Sequence, residues 1–304
     1  MRQRGVALIT AIVVVAIATV LAVHIGTRAA LDLRRTAGLV ALDQGWHVAL
    51  GAEAWAAEVL RKDVEDSETD HLGEAWAQPL PPLPLDNGEM RGALEDMQGR
   101  FNLNSLVNSD RVVDDASVER FKRLLVLVGA QPRWARVLAD WIDAGTVPQL
   151  EGAEDDTYLS QNPPYRAANG VIATTTEMMA LPGMTRDEFE RIRPYVAALP
   201  VGTPINLCTV KAQVLAALVE GGTDFGNEEL LAANRRDGCY PTVEFLKPSV
   251  PNWNEIKDSF SETSKWFRVV TAVRIGTSEF TLYSLIERND NGGIRTVLRS
   301  TGTE

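Results

Sequence analysis

A group of acidic residues near the middle of the chain has the composition of a cation-binding loop. The stretch EGAEDDTYL carries four carboxylates and two more precede it; the six residues are Glu151, Glu154, Asp155, Asp156, Asp140 and Asp143. Calcium binds roughly six to eight oxygen ligands on adaptable backbone, and this turn-rich stretch could supply a good share of them. The spacing is not that of an EF-hand, and the same residues could form a solvated loop. The sequence therefore predicts either a calcium site or a solvated acidic loop here.

The chain has two cysteines, Cys208 and Cys239. In an exported protein an isolated pair is most simply one disulfide, which here would close a loop of about thirty residues. In a cytosolic protein the same pair would more often be two buried thiols. Which alternative holds depends on whether this part of the chain is exported or stays in the cytosol. The N-terminal segment, which could be an export signal or a membrane anchor, is the part of the sequence that indicates the location.

The residues that most often perform catalysis are scattered along the chain. His24 lies in an apolar stretch, His47 on an amphipathic stretch and His71 in a polar segment, and none has a nucleophile or metal-ligand arrangement around it in sequence. The nucleophile-elbow, zinc-protease and phosphate-loop motifs do not occur in the sequence. The net charge of -11 repels nucleic acid at long range. We therefore expect neither an enzyme nor a nucleic-acid-binding protein.

The chain opens with a basic head, one glycine and an apolar run. Arg2 and Arg4 precede about twenty mainly apolar residues that end near Gly26. The run is longer than the ~7–15 residues of a signal-peptide core, and no convincing cleavage box follows it. A helix of this length spans a bilayer, and the basic head places the N-terminus in the cytoplasm. The sequence therefore predicts a single membrane-spanning helix that is retained.

One long helix continues past the membrane segment. No proline lies between Ala29 and Lys62, and alanine and leucine are abundant there. An apolar helix face with i, i+3, i+4 spacing is formed by Ala52, Trp55, Ala56, Val59 and Leu60. The apolar run and this amphipathic part are therefore expected to form one continuous helix.

The rest of the chain changes from strand patterns to helix patterns and back. The stretch MRGALEDMQGRFNLNSLV follows a polar, proline-rich loop and predicts one or two strands. From about Asp110 to Leu199 the periodicity is helical, and the C-terminal tail predicts a three-stranded antiparallel meander. RFNLNSLV and PINLCTVK are similar, which predicts two equivalent strand-to-helix exits flanking the helical part. The expected fold class is α+β, with a long helix on a small antiparallel sheet and an inserted helical domain.

The glycine before the apolar run resembles the class III leader of type IV pilins and type II secretion pseudopilins. The resemblance implies that a prepilin peptidase cuts between Gly5 and Val6 and methylates Val6, while the apolar run stays as membrane anchor and later as filament helix. Most members have glutamate at the fifth mature position, where this chain has Thr10. A subunit without that carboxylate cannot pair with the N-terminal amine of a neighbour, which implies a position at the end of a filament.

Several longer strings are similar to the large minor pseudopilins of type II secretion, the protein K family. They are RGVALIT, DMQGRFNLNSL, DWIDA, GAEDDTYL, PPYRAAN, LPGMT and INLCTVKAQVLAAL. The resemblance implies a pseudopilin fold with a large inserted all-helical domain. The expected boundaries are a leader at 1–5, the long helix at 6–62 with its transmembrane part at 6–25, a loop and first strands at 63–109, the inserted helical domain at 110–200, and the remaining sheet with the C-terminal strands at 201–304.

The same resemblance implies a function and partners. The expected role is to initiate or cap pseudopilus assembly at the tip, for protein export across the outer membrane. The implied partners are other minor pseudopilins and the prepilin peptidase, and then secreted cargo or the outer-membrane channel. Relatives imply calcium as a cofactor, and a bacterial inner-membrane anchor with a periplasmic bulk favours the disulfide between Cys208 and Cys239.

A signal-anchored periplasmic binding protein is the rival interpretation, with DNA as one ligand to consider. LPGMT resembles the glycine turn of helix-hairpin-helix modules, which offer backbone amides to DNA phosphates. However, the next segment balances Asp187, Glu188 and Glu190 with three arginines, and the whole protein is acidic. The sequence therefore favours a helix pair used for packing.

Overall fold

The computed structural model describes residues 4–219, 226–235, 238–250, 253–289 and 291–301. Its helices are α1 (Arg4–Asp66), α2 (Asp115–Leu127), α3 (Trp134–Ile142), α4 (Asp155–Leu159), α5 (Arg186–Ile192), α6 (Ala212–Leu218), α7 (Glu228–Asn234), α8 (Val243–Leu246) and α9 (Trp253–Ile256). Its strands are β1 (Leu83–Leu85), β2 (Gly88–Asp96), β3 (Phe101–Asn102), β4 (Val196–Ala197), β5 (Ile205–Asn206), β6 (Phe260–Ser261), β7 (Trp266–Ile275), β8 (Ser278–Arg288) and β9 (Ile294–Thr301).

Helix α1 is the predicted long helix, and it ends at Asp66 instead of Lys62. It is long and apolar enough to cross a membrane by length and composition. All side chains from Val6 to Ile25 are exposed, and the first buried position is Gly45. The helix is therefore divided into an unpacked apolar half and a half that packs on the rest of the protein.

The main sheet has five strands in the order β1-β2-β7-β8-β9, and every neighbouring pair is antiparallel. β7, β8 and β9 form the predicted C-terminal meander. β2 pairs with β7 along its whole length, from Gly88 opposite Ile275 to Asp96 opposite Phe267. The α+β fold class expected from the sequence is confirmed.

The second half of α1 packs on one face of this sheet through small side chains. At Gly45 an added Cβ would lie 3.4 Å from the Cβ of Phe280, a van der Waals contact that shows how closely the helix approaches β8. The two apolar clusters of this interface contain Ala49, Ala52, Ala56, Leu60, Trp76, Met90, Phe267, Val269, Val273, Leu282 and Ile286. The predicted apolar face of the helix is therefore the face that contacts the sheet, apart from Trp55, which is 48% exposed.

One carboxylate fastens α1 to the sheet. Glu53 is 7% exposed and accepts hydrogen bonds from Ser284 at 2.5 Å, Thr296 at 2.8 Å and Arg299 at 2.7 and 2.9 Å. Burial opposes its ionisation, but the hydrogen bonds from Arg299, Ser284 and Thr296 hold the pKa of Glu53 below its ordinary value. The ionised Glu53 thus fixes the position of the helix along β8 and β9.

A helical domain is inserted between two strands that are neighbours in the sheet. β2 ends at Asp96 and β7 begins at Trp266, and the chain between them builds one apolar core that runs from Phe101 to Phe260. The predicted insertion stopped at residue 200, whereas α6, α7, α8 and α9 follow that position, and residues from α6, α7 and α8 belong to the same core. Of these four helices, α6 is the helix that the sequence predicts after the second strand exit. The helices α7, α8 and α9 are only four to seven residues long, so their periodicity is too short to be read from sequence.

The two similar strings occupy equivalent places at the base of this domain. In RFNLNSLV, Asn102 ends β3 beside the parallel strand β4, and its side-chain oxygen accepts from the Asn104 amide at 3.1 Å. In PINLCTVK, Asn206 ends β5 beside the parallel strand β6, and its side-chain oxygen accepts from the Cys208 amide at 2.9 Å. Each asparagine therefore turns the chain out of a short strand by the same Asx-type bond.

Candidate functional site

The apolar half of α1 contains the predicted processing and tip positions. The bond between Gly5 and Val6 lies in the first turns of the helix, and leader residues 1–3 lie outside the described residues. The Thr10 hydroxyl donates to the carbonyls of Val6 at 3.1 Å and Ala7 at 3.0 Å. The hydroxyl is satisfied within its own helix, so this position presents neither a charge nor a free polar group to a neighbour.

Three of the six predicted acidic ligands come together in a buried cluster between α3 and α4. Asp140 and Asp143 lie at the end of α3, and Glu154 precedes α4; they are 0%, 8% and 3% exposed. One oxygen of Asp140 accepts from the Gln149 amide at 3.0 Å and one of Asp143 from the Gly145 amide at 2.8 Å. The other Asp140 oxygen and both Glu154 oxygens are buried without a hydrogen-bond partner.

The electrostatics of this cluster oppose ionisation in the absence of a cation. Burial, followed by repulsion from Asp140, Asp143 and Asp155, raises the pKa of Glu154 to about 7. Burial also raises the pKa of Asp140 to about 6, with Asp143 adding to the effect, and it raises the pKa of Asp143. Buried carboxylates with unused oxygens are donors of the kind that a hard cation requires, so the chemistry of these three residues suits calcium. Their oxygens are not all within 4.8 Å of one another, so a bound ion would require the loop to close further.

The other three predicted ligands are placed differently. Asp155 forms an ion pair with Arg166 at 3.0 Å, while Glu151 and Asp156 are exposed. Gly152, which the sequence did not single out, passes so close to Asp140 that an added Cβ would lie 1.9 Å from its Oδ2. The loop can cover this carboxylate only because a glycine stands there.

Tyr158 is a further residue that sequence reasoning missed. It is fully buried on α4, its hydroxyl has no hydrogen-bond partner, and its ring contacts Trp141 and Tyr165. Burial and the nearby Asp140 and Glu154 are among the causes that raise its pKa. An aromatic residue at helical spacing predicts only core packing, so nothing in the sequence pointed to this hydroxyl beside the carboxylates.

A second group of carboxylates lies where α1 ends. Oxygens of Asp63, Asp70 and Glu74 lie within 4.8 Å of one another. Arg288 already supplies a positive charge there: its guanidinium donates to Asp63 at 3.0 Å, to both oxygens of Asp70 and to the Ser264 carbonyl at 2.8 Å. Burial and then Glu74 raise the pKa of Asp63. This group is therefore a buried ion-pair network that joins α1 to β8, and we do not assign a metal to it.

Comparison with known proteins identifies the family. The family model described as type II secretion system (T2SS), protein K matches residues 99–201. The type II secretion system protein K of Pseudomonas aeruginosa is 38% identical over 99% of this chain and 93% of that protein. The chain belongs to the type II secretion system protein K family. The protein K of Pectobacterium carotovorum subsp. carotovorum is 30% identical over 97% of this chain and 98% of that protein.

A solved structure supports the same assignment at the level of the fold. It is the crystal structure of the GspK-GspI-GspJ complex from the type 2 secretion system of enterotoxigenic Escherichia coli. The match has a TM-score of 0.77 at 25% sequence identity and covers 89% of this chain and 100% of that chain. The pseudopilin resemblance seen in the sequence is thereby confirmed, and the chain is a minor pseudopilin of the protein K family, a structural component of a secretion system.

The two cysteines of this chain form a disulfide in the structure. Cys208 is fully buried at the exit from β5, and Cys239 lies in the segment before α8. The bond therefore ties the base of the helical domain to its last helices. Of the two alternatives that the sequence left open, the structure contains the disulfide.

The LPGMT hairpin is part of the helical core. Leu181 and Met184 are 2% and 8% exposed, and Gly183 adopts a φ of 84° between them. Glu188 on α5 is buried and accepts from the Gln131 amide at 2.8 Å. These contacts favour the packing role that the sequence analysis expected for this helix pair.

Proposed function

We propose that this chain is the minor pseudopilin at the tip of the type II secretion pseudopilus. There it initiates or caps assembly of the filament that exports proteins across the outer membrane. The observation that carries this proposal is Thr10, a neutral residue bonded within its own helix where most of the superfamily has a carboxylate. A neighbour's charged N-terminal amine would find no partner at this position, so the subunit can join the filament at one end only.

The unpacked half of α1 supports the same proposal. All side chains from Val6 to Ile25 are exposed, and an apolar helix of this length is stable in a bilayer or against other apolar helices. We infer that the prepilin peptidase cuts after Gly5 and methylates Val6, and that the segment then leaves the inner membrane to pack in the filament. The basic head places the N-terminus in the cytoplasm and the folded part in the periplasm.

The implied partners follow from this position. The solved relative was crystallised as a GspK-GspI-GspJ complex, which supports other minor pseudopilins as partners of this chain. Secreted cargo or the outer-membrane channel would be reached from the helical domain. The signal-anchored binding protein remains less favoured because 99% and 97% of the chain align with two protein K relatives.

A labelling experiment tests the tip position. In assembled pseudopili we expect the wild-type chain at one end of each filament, with a mature N-terminus that lacks residues 1–5 and carries one added methyl group. Thr10→Glu restores the missing carboxylate, so it should enter the filament body and raise the copy number per filament severalfold. Thr19→Glu is the matched control, because the Thr19 hydroxyl is likewise bonded within the helix, to the Val15 carbonyl at 2.8 Å. Wild-type label along the filament length, or an intact Met1, would contradict the proposal.

We also propose that Asp140, Asp143 and Glu154 hold a calcium ion. The support is the set of buried oxygens without hydrogen-bond partners and the close approach of Gly152 over Asp140. A bound calcium would supply the positive charge that lets these carboxylates ionise while buried, and it would thereby fix the loop between α3 and α4. Asp155 stays bound to Arg166, and Glu151 and Asp156 stay in solvent, so we exclude them from this ligand set.

Thermal unfolding with calcium and with chelator checks this site. Calcium at about 100 times its Kd adds ~2.7 kcal/mol, which should raise the melting temperature of the helical domain by about 5–10 °C. Glu154→Gln should remove most of this increase, whereas the matched control Asp156→Asn should keep it. An increase that is absent from the wild type, or equal in the two variants, would rule out the assigned ligands.

The calcium effect should also depend on pH in a defined direction. In chelator, Glu154 has a folded pKa of about 7 and Asp140 of about 6, both above their unfolded values. The folded state then binds protons that the unfolded chain has released, so stability in chelator falls as pH rises from about 4 towards 7. The difference in melting temperature between calcium and chelator should therefore be larger at pH 7.5 than at pH 5.

A further inference from the structure

Two aliphatic side chains stand in solvent on an anchored loop of the helical domain. Leu150 is 90% exposed and Val147 78% exposed, more than any other large apolar side chain that the structure describes, including those of the membrane segment. Hydrogen bonds to the end of α3 hold the loop that carries these two side chains. Asp143 accepts from the Gly145 amide at 2.8 Å, and Asp140 accepts from the Gln149 amide at 3.0 Å. Both ends of the loop are thus fixed while its apolar side chains point away from the core.

Two neighbouring loops add further apolar surface. Val112 is 59% exposed and Val171 52% exposed. The Ala144 amide donates to the Arg111 carbonyl at 3.1 Å, and the Arg111 guanidinium donates to the Asn169 carbonyl at 2.6 Å. These bonds hold the three loops side by side. We call the surface formed by Val112, Val147, Leu150 and Val171 the aliphatic patch.

The backbone of these loops is strained at three points. Arg111, Glu151 and Asn169 have φ values of 58°, 68° and 44°, and they are the non-glycine residues with positive φ in the part of the chain that the structure describes. Each lies one or two residues from a member of the aliphatic patch. Left-handed backbone in non-glycine residues clusters at ligand-binding and interaction sites, where the surroundings impose it. The patch therefore combines exposed apolar side chains with a constrained backbone that keeps these side chains in solvent.

The charges around the patch restrict what can cover it. Asp110 and Glu151 are exposed beside Val112 and Leu150 in the chain, and Asp156 is exposed on the following helix α4. The exposed Arg111 adds one positive charge, and the exposed Arg166 is paired with Asp155, so these surroundings are net negative. Lipid headgroups with negative charge would be repelled by these carboxylates, and aromatic interface anchors are missing from the patch. A second copy of this chain would bring the same carboxylates against each other. A recess with a basic border on a different protein fits both the apolar centre and the acidic border.

We propose that the aliphatic patch docks into an aliphatic recess bordered by lysine or arginine on a partner protein other than a second copy of this chain. Val147 and Leu150 enter the recess, and the acidic border faces its basic residues. This interaction surface lies on the helical domain, apart from the α1 helix that we propose for filament packing.

Photo-crosslinking of the full chain in its secreting bacterium tests the proposal. The crosslinker p-benzoyl-phenylalanine replaces Leu150 in one variant and Val126 in the control, since Val126 is 62% exposed on α2 of the same domain. We expect one defined protein adduct from position 150 and none above background from position 126. The crosslinked peptide should map to an aliphatic recess with lysine or arginine at its border. Adducts only with lipid or with a second copy, or none above the control, would overturn the proposal.

Two further variants test the chemistry of the surface. Asp110→Lys should lower the yield of the position-150 adduct severalfold, because it places a like charge against the basic border. Val147→Ser combined with Leu150→Ser should lower secretion of type II cargo about tenfold or more, as loss of central apolar contacts does at interfaces. Val126→Ser is the control, and each chain should still co-purify with the other minor pseudopilins. Unchanged adduct yield and unchanged secretion would contradict the proposed docking of the aliphatic patch. The proposed position at the filament tip would not be affected by that result.

Discussion

Replacing Arg288 with methionine should lower the free energy of unfolding by about 3–5 kcal/mol, the cost of leaving buried charges without their partner. The side chains of Arg288 and Asp70 are 6% and 3% exposed, and that of Asp63 is 10% exposed. The guanidinium also donates to the carbonyls of Leu60 at 3.3 Å and Ser264 at 2.8 Å. Methionine fills part of the volume but supplies neither the charge nor these donors.

The pH dependence of this loss distinguishes an electrostatic cause from poor packing. In the wild type, burial and then Glu74 raise the pKa of Asp63 to about 7, and the hydrogen bond from Arg288 opposes this rise, so removing the guanidinium raises the pKa further. The folded variant then keeps a proton on Asp63 that the folded wild type releases near pH 7, so its deficit should be smaller in acid and grow towards pH 8. Urea unfolding of the full chain in detergent, followed by tryptophan fluorescence at pH 5 and pH 8, measures both values.

Arg295→Met is the matched control for this experiment. Arg295 lies on β9 and forms an ion pair with Glu287 at 2.5 Å, but its side chain is 73% exposed. Exposed pairs contribute about 0–1 kcal/mol, so this variant should stay close to the wild type. An Arg288→Met deficit no larger than that of the control, or one that is equal at both pH values, would show that the network is not a major source of stability.

The sequence predicted those elements whose pattern is local and long. The meander of β7, β8 and β9 followed from alternation over eight to eleven residues per strand, and α1 from an uninterrupted helical stretch. The equivalent exits at Asn102 and Asn206 were visible because both asparagines perform the same backbone-turning role. The end of the insertion was not visible, since its last helices are too short to show a period.

Contacts between distant segments had no sequence signal. Asn206 donates to the Asp70 carbonyl 136 residues away, and Ser264 donates to Asp96 168 residues away. Thr209 also donates to Asp96, whose pKa is raised by its burial. This polar network joins the helical domain to the sheet, yet each member alone has an ordinary polar residue type. Only the folded chain shows that they share one buried site.

The acidic stretch shows the same limit at the candidate site. All six carboxylates have the right chemistry for calcium, and their spacing could not separate them. The structure separates them by burial. Asp140, Asp143 and Glu154 are buried, while Glu151 and Asp156 are exposed to solvent. Burial depends on Gly152, which allows the loop to close over Asp140. From the sequence, a glycine beside acidic residues predicts only a turn. The structure is needed to show that the backbone at Gly152 lies against the Asp140 carboxylate.

Removing the disulfide should cost about 3–4 kcal/mol, because a cross-link that spans 31 residues restricts the unfolded chain. Cys208→Ala combined with Cys239→Ala is the appropriate variant, since Cys208 is fully buried and a serine hydroxyl there would add a separate burial cost. The loss should appear as a lower urea midpoint of the helical domain. The variant should also be cleaved more rapidly by added protease, because the bond ties the segment before α8 to the exit from β5.

Reductant provides the control for this prediction within one protein. Wild-type chain unfolded in dithiothreitol should shift to the midpoint of the double variant, and the double variant should not respond to dithiothreitol at all. Equal midpoints for the oxidised wild type and the double variant would mean that the core around Cys208 holds the two segments together without the bond. In that case Arg235 would be the residue that mainly holds the two segments together. Its buried guanidinium donates to the Leu207 carbonyl at 2.8 Å and to the Tyr240 carbonyl at 2.7 Å. These two bonds join the same two segments as the disulfide.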